Sequence, residues 1–153
     1  MKKFLIIATI YFLILAGSII SGCSGKLRTN QVEGLVTLDG TPLSGANIAF
    51  VVQEEGKGNT AYARTDEKGI YHLQTHLGEP NAGTTEGKYI VTISKNVSRP
   101  SGKKEQDSEG NIVDELNAVE ILPAIYTETT TTPFSVTVVK GKNVFNFELK
   151  SNP

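Results

Sequence analysis

The chain has 153 residues, a formal net charge of −1, 39% hydrophobic residues and a single cysteine. This length is enough for one domain with its own hydrophobic core. The nearly neutral charge, without a Lys/Arg-rich face, excludes the electrostatic footprint of a nucleic-acid-binding protein. The lone cysteine excludes a disulfide within the monomer, so the domain must be stabilised by burial and sheet pairing.

Residues 1–22 have the pattern of a secretory signal peptide. Two lysines, Lys2-Lys3, precede an apolar run from Phe4 to Ala16, and small residues come directly before Cys23. The segment Ile20-Ser21-Gly22-Cys23 resembles the lipobox of bacterial lipoproteins. This resemblance implies cleavage before Cys23, attachment of a diacylglycerol to its thiol and, usually, acylation of the new amino group. Cys23 is therefore the predicted lipidation site.

Two other interpretations of this segment stay open. An uncleaved transmembrane helix needs ~20 apolar residues, and the run from Phe4 to Ile20 falls slightly short, with Gly17 and Ser18 near its end. An ordinary secretory signal would end in an Ala-x-Ala-like site and would not require a cysteine. In the lipoprotein interpretation, residues 23–30 form a short lipidated tether, and two or more lipid chains anchor the protein stably to the membrane.

Beyond the tether, most of residues 31–150 alternate between apolar and polar side chains with a period of two, which is typical of β-strands. Turn signals such as Asp39-Gly40 and Gly141-Lys142-Asn143 separate the apolar runs. The pattern predicts an all-β fold, a single seven-stranded antiparallel β-sandwich. Its strands lie within Val32–Leu38, Ala46–Val52, Asn59–Thr65, Tyr71–Leu73, Tyr89–Ile93, Phe134–Val138 and Val144–Leu149.

Two residues in this pattern have predicted structural roles. Gly34 lies inside a strand, which indicates a bulge or a close backbone approach. Asp66 is expected to cap the turn from Asp66 to Gly69 by accepting backbone N–H groups. The acidic run Asp107–Asn111 lacks the spacing and the terminal Glu of an EF-hand loop, so we interpret it as a solvated loop.

The order and spacing of several short motifs resemble a known family. They are Val32–Val36, Asp39–Leu43, Gly45–Ile48, Thr65–Tyr71 and Gly87–Val91. Together they resemble the carboxypeptidase-regulatory-like domain, a transthyretin-like or immunoglobulin-like sandwich. The later segments Leu122–Tyr126, Thr132–Phe134 and Gly141–Phe145 resemble a subset found in small bacterial lipoproteins. The resemblance implies this fold, a location in the cell envelope and, as for most members, no enzymatic activity.

Two segments depart from a minimal sandwich. His76–Glu86 is rich in Gly, Thr, Pro and Asn and is expected to be a loop. A longer charged insert at about 96–117 is expected to be flexible, because its composition favours disorder. At its end, Val113, Leu116 and Val119 have helical spacing, which predicts one or two helical turns within Ile112–Leu122.

The sequence predicts no catalytic, cofactor or metal site. His72 and His76 are the only histidines, and there is no further cysteine to complete a zinc site. A metal role for Asp66 and Glu67 is the weaker interpretation of that turn. A Ser-His-Asp arrangement stays open, although no serine lies in a G-x-S-x-G elbow.

We therefore expect a membrane-anchored lipoprotein of the cell envelope, facing the periplasm or the exterior, with a non-enzymatic binding or scaffolding domain. Its partners would be the membrane, through the lipid on Cys23, and an envelope protein or glycan. Two alternatives remain. One is a carbohydrate-binding module that stacks sugars on exposed Tyr62 or Tyr126. The other is a small-molecule hydrolase using His72 or His76.

Overall fold

A computed structural model describes residues 28–53, 58–75 and 82–153. The predicted signal peptide, the lipidation site Cys23 and most of the predicted loop His76–Glu86 lie outside these residues. The described residues form twelve strands and one helical turn. In chain order they are β1 (Val32–Leu38), β2 (Thr41–Pro42), β3 (Asn47–Val52), β4 (Ala61–Arg64), β5 (Ile70–His72), β6 (Gln74–Thr75), β7 (Gly87–Ser94), β8 (Asn96–Gln106), β9 (Ile112–Glu120), α1 (Ala124–Thr127), β10 (Ser135–Val138), β11 (Asn143–Val144) and β12 (Phe147–Leu149).

The first sheet is built around β1. Antiparallel β5 and β2 lie along one edge of β1, and β11 and β12 lie along the other edge in parallel orientation. The prediction of a purely antiparallel arrangement is therefore wrong for β1. Alternation of side chains assigns the faces of a strand, but it carries no information about the direction of the neighbouring strand.

The second sheet has the order β10-β7-β3-β4-β6, and all its neighbours are antiparallel. The described elements are strands apart from the single turn α1, so the fold is all-β. The two sheets enclose one core. Each apolar face predicted from the period-two pattern points into this core, because burying alternate side chains removes the most apolar surface from water. Its largest fully buried side chains are Tyr71, Tyr89, Phe50, Ile48, Leu73, Ile93 and Leu149.

The predicted insert at about 96–117 is a regular structure. β8 and β9 pair along their lengths as a two-stranded antiparallel hairpin, with a register shift between Pro100 and Lys104. The predicted helical turns within Ile112–Leu122 are wrong, because these residues belong mostly to β9 and the helical turn α1 begins later, at Ala124. The flexibility of the segment stays a prediction.

The ordered domain begins before Gln31. Asn30 and Thr84 exchange backbone hydrogen bonds of 2.7 and 3.0 Å, and Asn30 Oδ1 accepts the N–H of Gly141 at 2.8 Å. Asn30 is buried by these contacts and does not belong to the predicted tether. Within the part of the chain that the structure describes, no helix is long and apolar enough to cross a membrane.

Candidate functional site

A shallow groove crosses the outer face of the first sheet. It has a volume of about 360 Å³ and is lined by side chains from β1, from β5 and from the β11–β12 segment. The lining residues are Glu33, Gly34, Leu35, Ile70, His72, Val144 and Asn146. Apolar groups from three strands therefore surround one carboxylate, an arrangement suited to holding a partly apolar ligand.

Two basic side chains flank this carboxylate. Lys142 Nζ lies 2.7 Å from Glu33 Oε1, and His72 Nδ1 lies 3.6 Å from Glu33 Oε2. The hydrogen bond from Lys142, together with the positive charge of Lys142 and that of His72, lowers the pKa of Glu33 below its ordinary value of 4.5. Glu33 consequently stays ionised near neutral pH, and this makes it a poor proton donor and a suitable acceptor for a cationic or hydrogen-bonding ligand.

An interruption of the backbone ladder between β1 and the β11–β12 segment lies at the floor of the groove. Phe145 N–H donates to Glu33 O at 3.0 Å, and the next ladder position is filled by a side chain, since Leu35 N–H donates to Asn146 Oδ1 at 2.9 Å. The pairing register is the same on both sides of this interruption. Ordinary alternation along the strand therefore leaves Val144 and Asn146 lining the groove while Phe145 packs against the core.

Gly34 makes the close approach of the Phe145 carbonyl to β1 possible. A Cβ at this position would overlap the carbonyl oxygen of Phe145 and lie 2.7 Å from its carbonyl carbon and 3.0 Å from Tyr71 Cε1. The same carbonyl oxygen accepts the Tyr71 hydroxyl at 2.9 Å. Burial raises the pKa of the Tyr71 phenol far above its ordinary value, so the hydroxyl remains a donor. The predicted close approach at Gly34 is confirmed.

The predicted turn at Asp66 is also confirmed. Asp66 Oδ1 accepts the N–H groups of Lys68 and Ile70 at 2.9 and 2.8 Å. Asp107 does the same for Glu109 and Asn111 at 2.9 and 2.8 Å, and bonds with Asn111 and its neighbours lower the pKa of the Asp107 carboxyl. Within residues 28–53, 58–75 and 82–153, no group of three His, Cys, Asp or Glu side chains has the geometry to hold a metal ion.

The other sequence candidates are dispersed. His72 is exposed and its charged neighbour is Glu33, whereas His76 lies outside the described residues. Tyr62 on β4 is 55% exposed, but the expectation of an exposed Tyr126 is wrong. Tyr126 is buried in α1, stacked on Phe134 with 5.6 Å between ring centroids, and its hydroxyl accepts Lys150 N–H at 3.0 Å.

Sequence reasoning missed the pairing of Glu33 with Lys142. The two residues are distant in the chain and meet because β11 lies parallel to β1, with Glu33 opposite Val144. Nothing in the alternation pattern signals a parallel neighbour. The only available hint was the placement of Lys142 in a turn directly before a predicted strand.

Comparison with known proteins adds little. No protein-family model matches the sequence, and no curated protein matches it. Among solved structures, the chain is similar to a 9R-lipoxygenase from Cyanothece PCC8801, with 12% sequence identity and a TM-score of 0.37. The similarity covers 80% of this chain and 16% of the lipoxygenase chain. A likeness at this TM-score carries no argument about fold or function.

Proposed function

We propose that the protein is a lipid-anchored lipoprotein of the bacterial cell envelope, whose transthyretin-like β-sandwich has a non-enzymatic binding or scaffolding role. The lipid would be attached to Cys23, after removal of residues 1–22. The domain would then bind another envelope component, a protein or a glycan, on the periplasmic or outer side of the membrane.

The observation that supports this proposal is that the N-terminal entry of the chain and the β8–β9 hairpin lie at opposite ends of the domain. The chain enters the fold at Asn30, which pairs with Thr84 just before β7 begins. The β8–β9 hairpin leaves the fold at Lys95, directly after β7 ends. Since β7 has eight residues, the entry point and the hairpin lie about 25 Å apart at a rise of ~3.3 Å per residue. A domain anchored at Cys23 would therefore display its hairpin away from the membrane.

The anchoring half of the proposal is tested with Cys23→Ala. The full chain should incorporate radiolabelled palmitate and sediment with membranes, and Cys23→Ala should lose both properties. Ser24→Ala is the matched control and should behave as the native chain. A Cys23→Ala protein that remains membrane-bound would support an uncleaved N-terminal helix instead.

The binding half is tested by crosslinking intact envelope and identifying captured components by mass spectrometry. Val144 in the groove and Val139 outside it are both 56% exposed, so Val144→Asp and Val139→Asp make equal changes on two surfaces. Capture that falls with Val144→Asp alone would assign the partner to the groove. Equal capture by both variants would exclude the groove as the contact surface.

A carbohydrate-binding module is the second candidate, and exposed Tyr62 is the observation that favours it. Binding to a glycan array should be lost in Tyr62→Ala and retained in Tyr62→Phe, because stacking requires the ring and not the hydroxyl. The absence of binding across the array would contradict this function. The hydrolase alternative requires turnover that disappears when His72 and His76 are both replaced by Ala.

A further inference from the structure

The β8–β9 hairpin is a two-stranded sheet on which no other described strand or helix packs. The two strands contact each other extensively and make little contact with the rest of the described chain. Ile112 and Leu116 on β9 are 65% and 60% exposed. A two-stranded hairpin of this kind is at best marginally stable in water, and a third strand is the usual means of stabilising it.

The hydrogen-bond pattern shows which backbone groups of β9 are available for such a strand. At the base of the hairpin Ile121 N–H donates to Lys95 O at 3.1 Å, and near its tip Asp107 N–H donates to Asn111 O at 3.0 Å. Ladder bonds alternate along an antiparallel strand, so the odd-numbered residues between 111 and 121 point toward β8. The peptide groups of the even-numbered residues therefore point outward, among them those of Ile112, Asp114, Leu116 and Ala118.

The opposite edge of the hairpin, along β8, is protected. By the same alternation Pro100 occupies an outward-facing position, where it offers no N–H, and the register is interrupted between Pro100 and Lys104. Lys103 and Lys104 add charge to this edge. Proline, bulges and lysines are the devices by which natural edge strands resist pairing. β9 has nine residues without proline, glycine or lysine and pairs without interruption from Ile112 to Asp114 and from Leu116 to Glu120.

The charged residues of β9 indicate which kind of strand could pair with its outer edge. β9 carries Asp114, Glu115 and Glu120 and no basic residue. On its outward-facing positions, Ile112 and Leu116 alternate with Asp114, whose carboxylate lies 3.3 Å from Lys104 Nζ on β8. The edge therefore offers apolar contact, and Glu115 and Glu120 add negative charge to the strand. A basic extended strand would gain backbone hydrogen bonds, apolar contact and charge attraction, whereas an acidic strand would be repelled.

We propose that the outer edge of β9 is a β-augmentation site for an extended, basic segment of a partner protein. The segment would add as a third strand and use the outward peptide groups of Ile112, Asp114, Leu116 and Ala118. This inference rests on the proposed binding role and names its partner class. It does not depend on lipid attachment, so failure of the Cys23 experiment leaves it intact.

The test uses the full chain in a neutral detergent and a labelled ten-residue peptide in which Lys alternates with Val. Peptide binding is followed by fluorescence anisotropy, and amide hydrogen exchange reports which backbone groups become protected. A peptide with Glu in place of each Lys is the charge control. We expect at least tenfold tighter binding of the basic peptide and new protection at Ile112, Asp114, Leu116 and Ala118.

Two proline variants locate the edge. Ser98 and Ala118 lie directly opposite each other in the hairpin, and the N–H of each points away from the partner strand. Ala118→Pro should weaken peptide binding at least tenfold, and Ser98→Pro should leave it unchanged, although both remove one outward N–H from the same hairpin.

Three results would overturn the proposal. Equal effects of the two proline variants would show that edge pairing on β9 is not the mode of binding. Equal affinity for the basic and acidic peptides would remove the charge argument. A concentration-dependent dimer of the chain that Ala118→Pro abolishes, measured by sedimentation, would assign the edge to a second copy of this protein.

Discussion

Replacing Gly34 with alanine tests whether the close approach of the Phe145 carbonyl to β1 depends on the missing Cβ. Gly34 lies in β1 and is not among the residues with positive φ. In an ordinary strand Gly→Ala stabilises by about 0.4–1 kcal/mol, because alanine restricts the unfolded chain. Here the new methyl group would overlap the Phe145 carbonyl oxygen and lie 2.7 Å from its carbon, so we expect the opposite sign.

The expected loss of stability has two contributions, displacement of the Phe145 backbone and loss of its hydrogen bond with Tyr71. Displacing a well-packed backbone segment costs about 1–3 kcal/mol, and loss of the 2.9 Å bond from the Tyr71 hydroxyl to Phe145 O adds about 1–3 kcal/mol for leaving buried polar groups unpaired. We expect Gly34→Ala to lower the free energy of unfolding by about 2–6 kcal/mol, a large share of the ~5–15 kcal/mol typical of a domain.

The assay is urea unfolding followed by far-ultraviolet circular dichroism, with Tyr71→Phe as the companion variant. If Gly34→Ala acts by pushing the Phe145 carbonyl away from Tyr71, the double variant will be less destabilised than the sum of the single variants. A cost below about 1 kcal/mol for Gly34→Ala, or strict additivity of the two changes, would refute the reasoning.

Three further changes have defined outcomes. The buried Thr65 hydroxyl accepts Ala46 N–H at 2.8 Å and donates to Leu43 O at 2.6 Å. Thr65→Val leaves both backbone groups without this partner and should lower the free energy of unfolding, measured in urea, by about 2–4 kcal/mol. Thr65→Ser should recover most of the loss. Lys142→Ala should raise the pKa of Glu33 toward 4.5, measured by carbon NMR of the carboxyl, and Lys142→Arg should not. Because the pKa of Asp107 lies below its ordinary 3.8, the stabilisation of its turn should persist above that value and disappear as the pH falls through the lowered pKa. The amide shifts of Glu109 and Asn111 report this loss, and Asn111→Ala should move the midpoint upward; an unchanged midpoint would contradict the assigned cause.

The faces of the core strands could be predicted from sequence because a strand with one buried face carries apolar residues at alternate positions. Tyr71 and Leu73, like Tyr89, Val91 and Ile93, occupy alternate positions of the chain, and each is fully buried. A glycine inside such a pattern has no side chain to pack, which indicates that another backbone segment occupies the space of the missing Cβ. For this reason Gly34 could be predicted as a site of close approach. These inferences are local and need no knowledge of the partner strand.

The groove could not be predicted in the same way. Its ion pairs join residues of β1 with His72 on β5 and with Lys142 in the turn before β11. The lysine contact depends on the parallel register that sets Glu33 opposite Val144. Register and direction are set by how two sheets close over a shared core, which is a property of the whole fold.

The hairpin was missed for a different reason, which also bears on its role. Asp66–Ile70 and Asp107–Asn111 share the spacing Asp-x-x-Gly-x and the same bonds: Asp N–H to the O of the fifth residue, and Gly N–H to Asp O. Only the first turn was expected to be ordered, because buried strands with clear alternation flank it. Neither face of the β8–β9 hairpin is buried, so nothing constrains its side chains to alternate between apolar and polar. Its two strands differ in composition instead. β8 contains proline and lysines, and β9 contains acidic and exposed aliphatic residues. The residues along each edge of such a hairpin therefore indicate whether that edge resists or accepts a further strand. In the β8–β9 hairpin they leave the edge of β9 open.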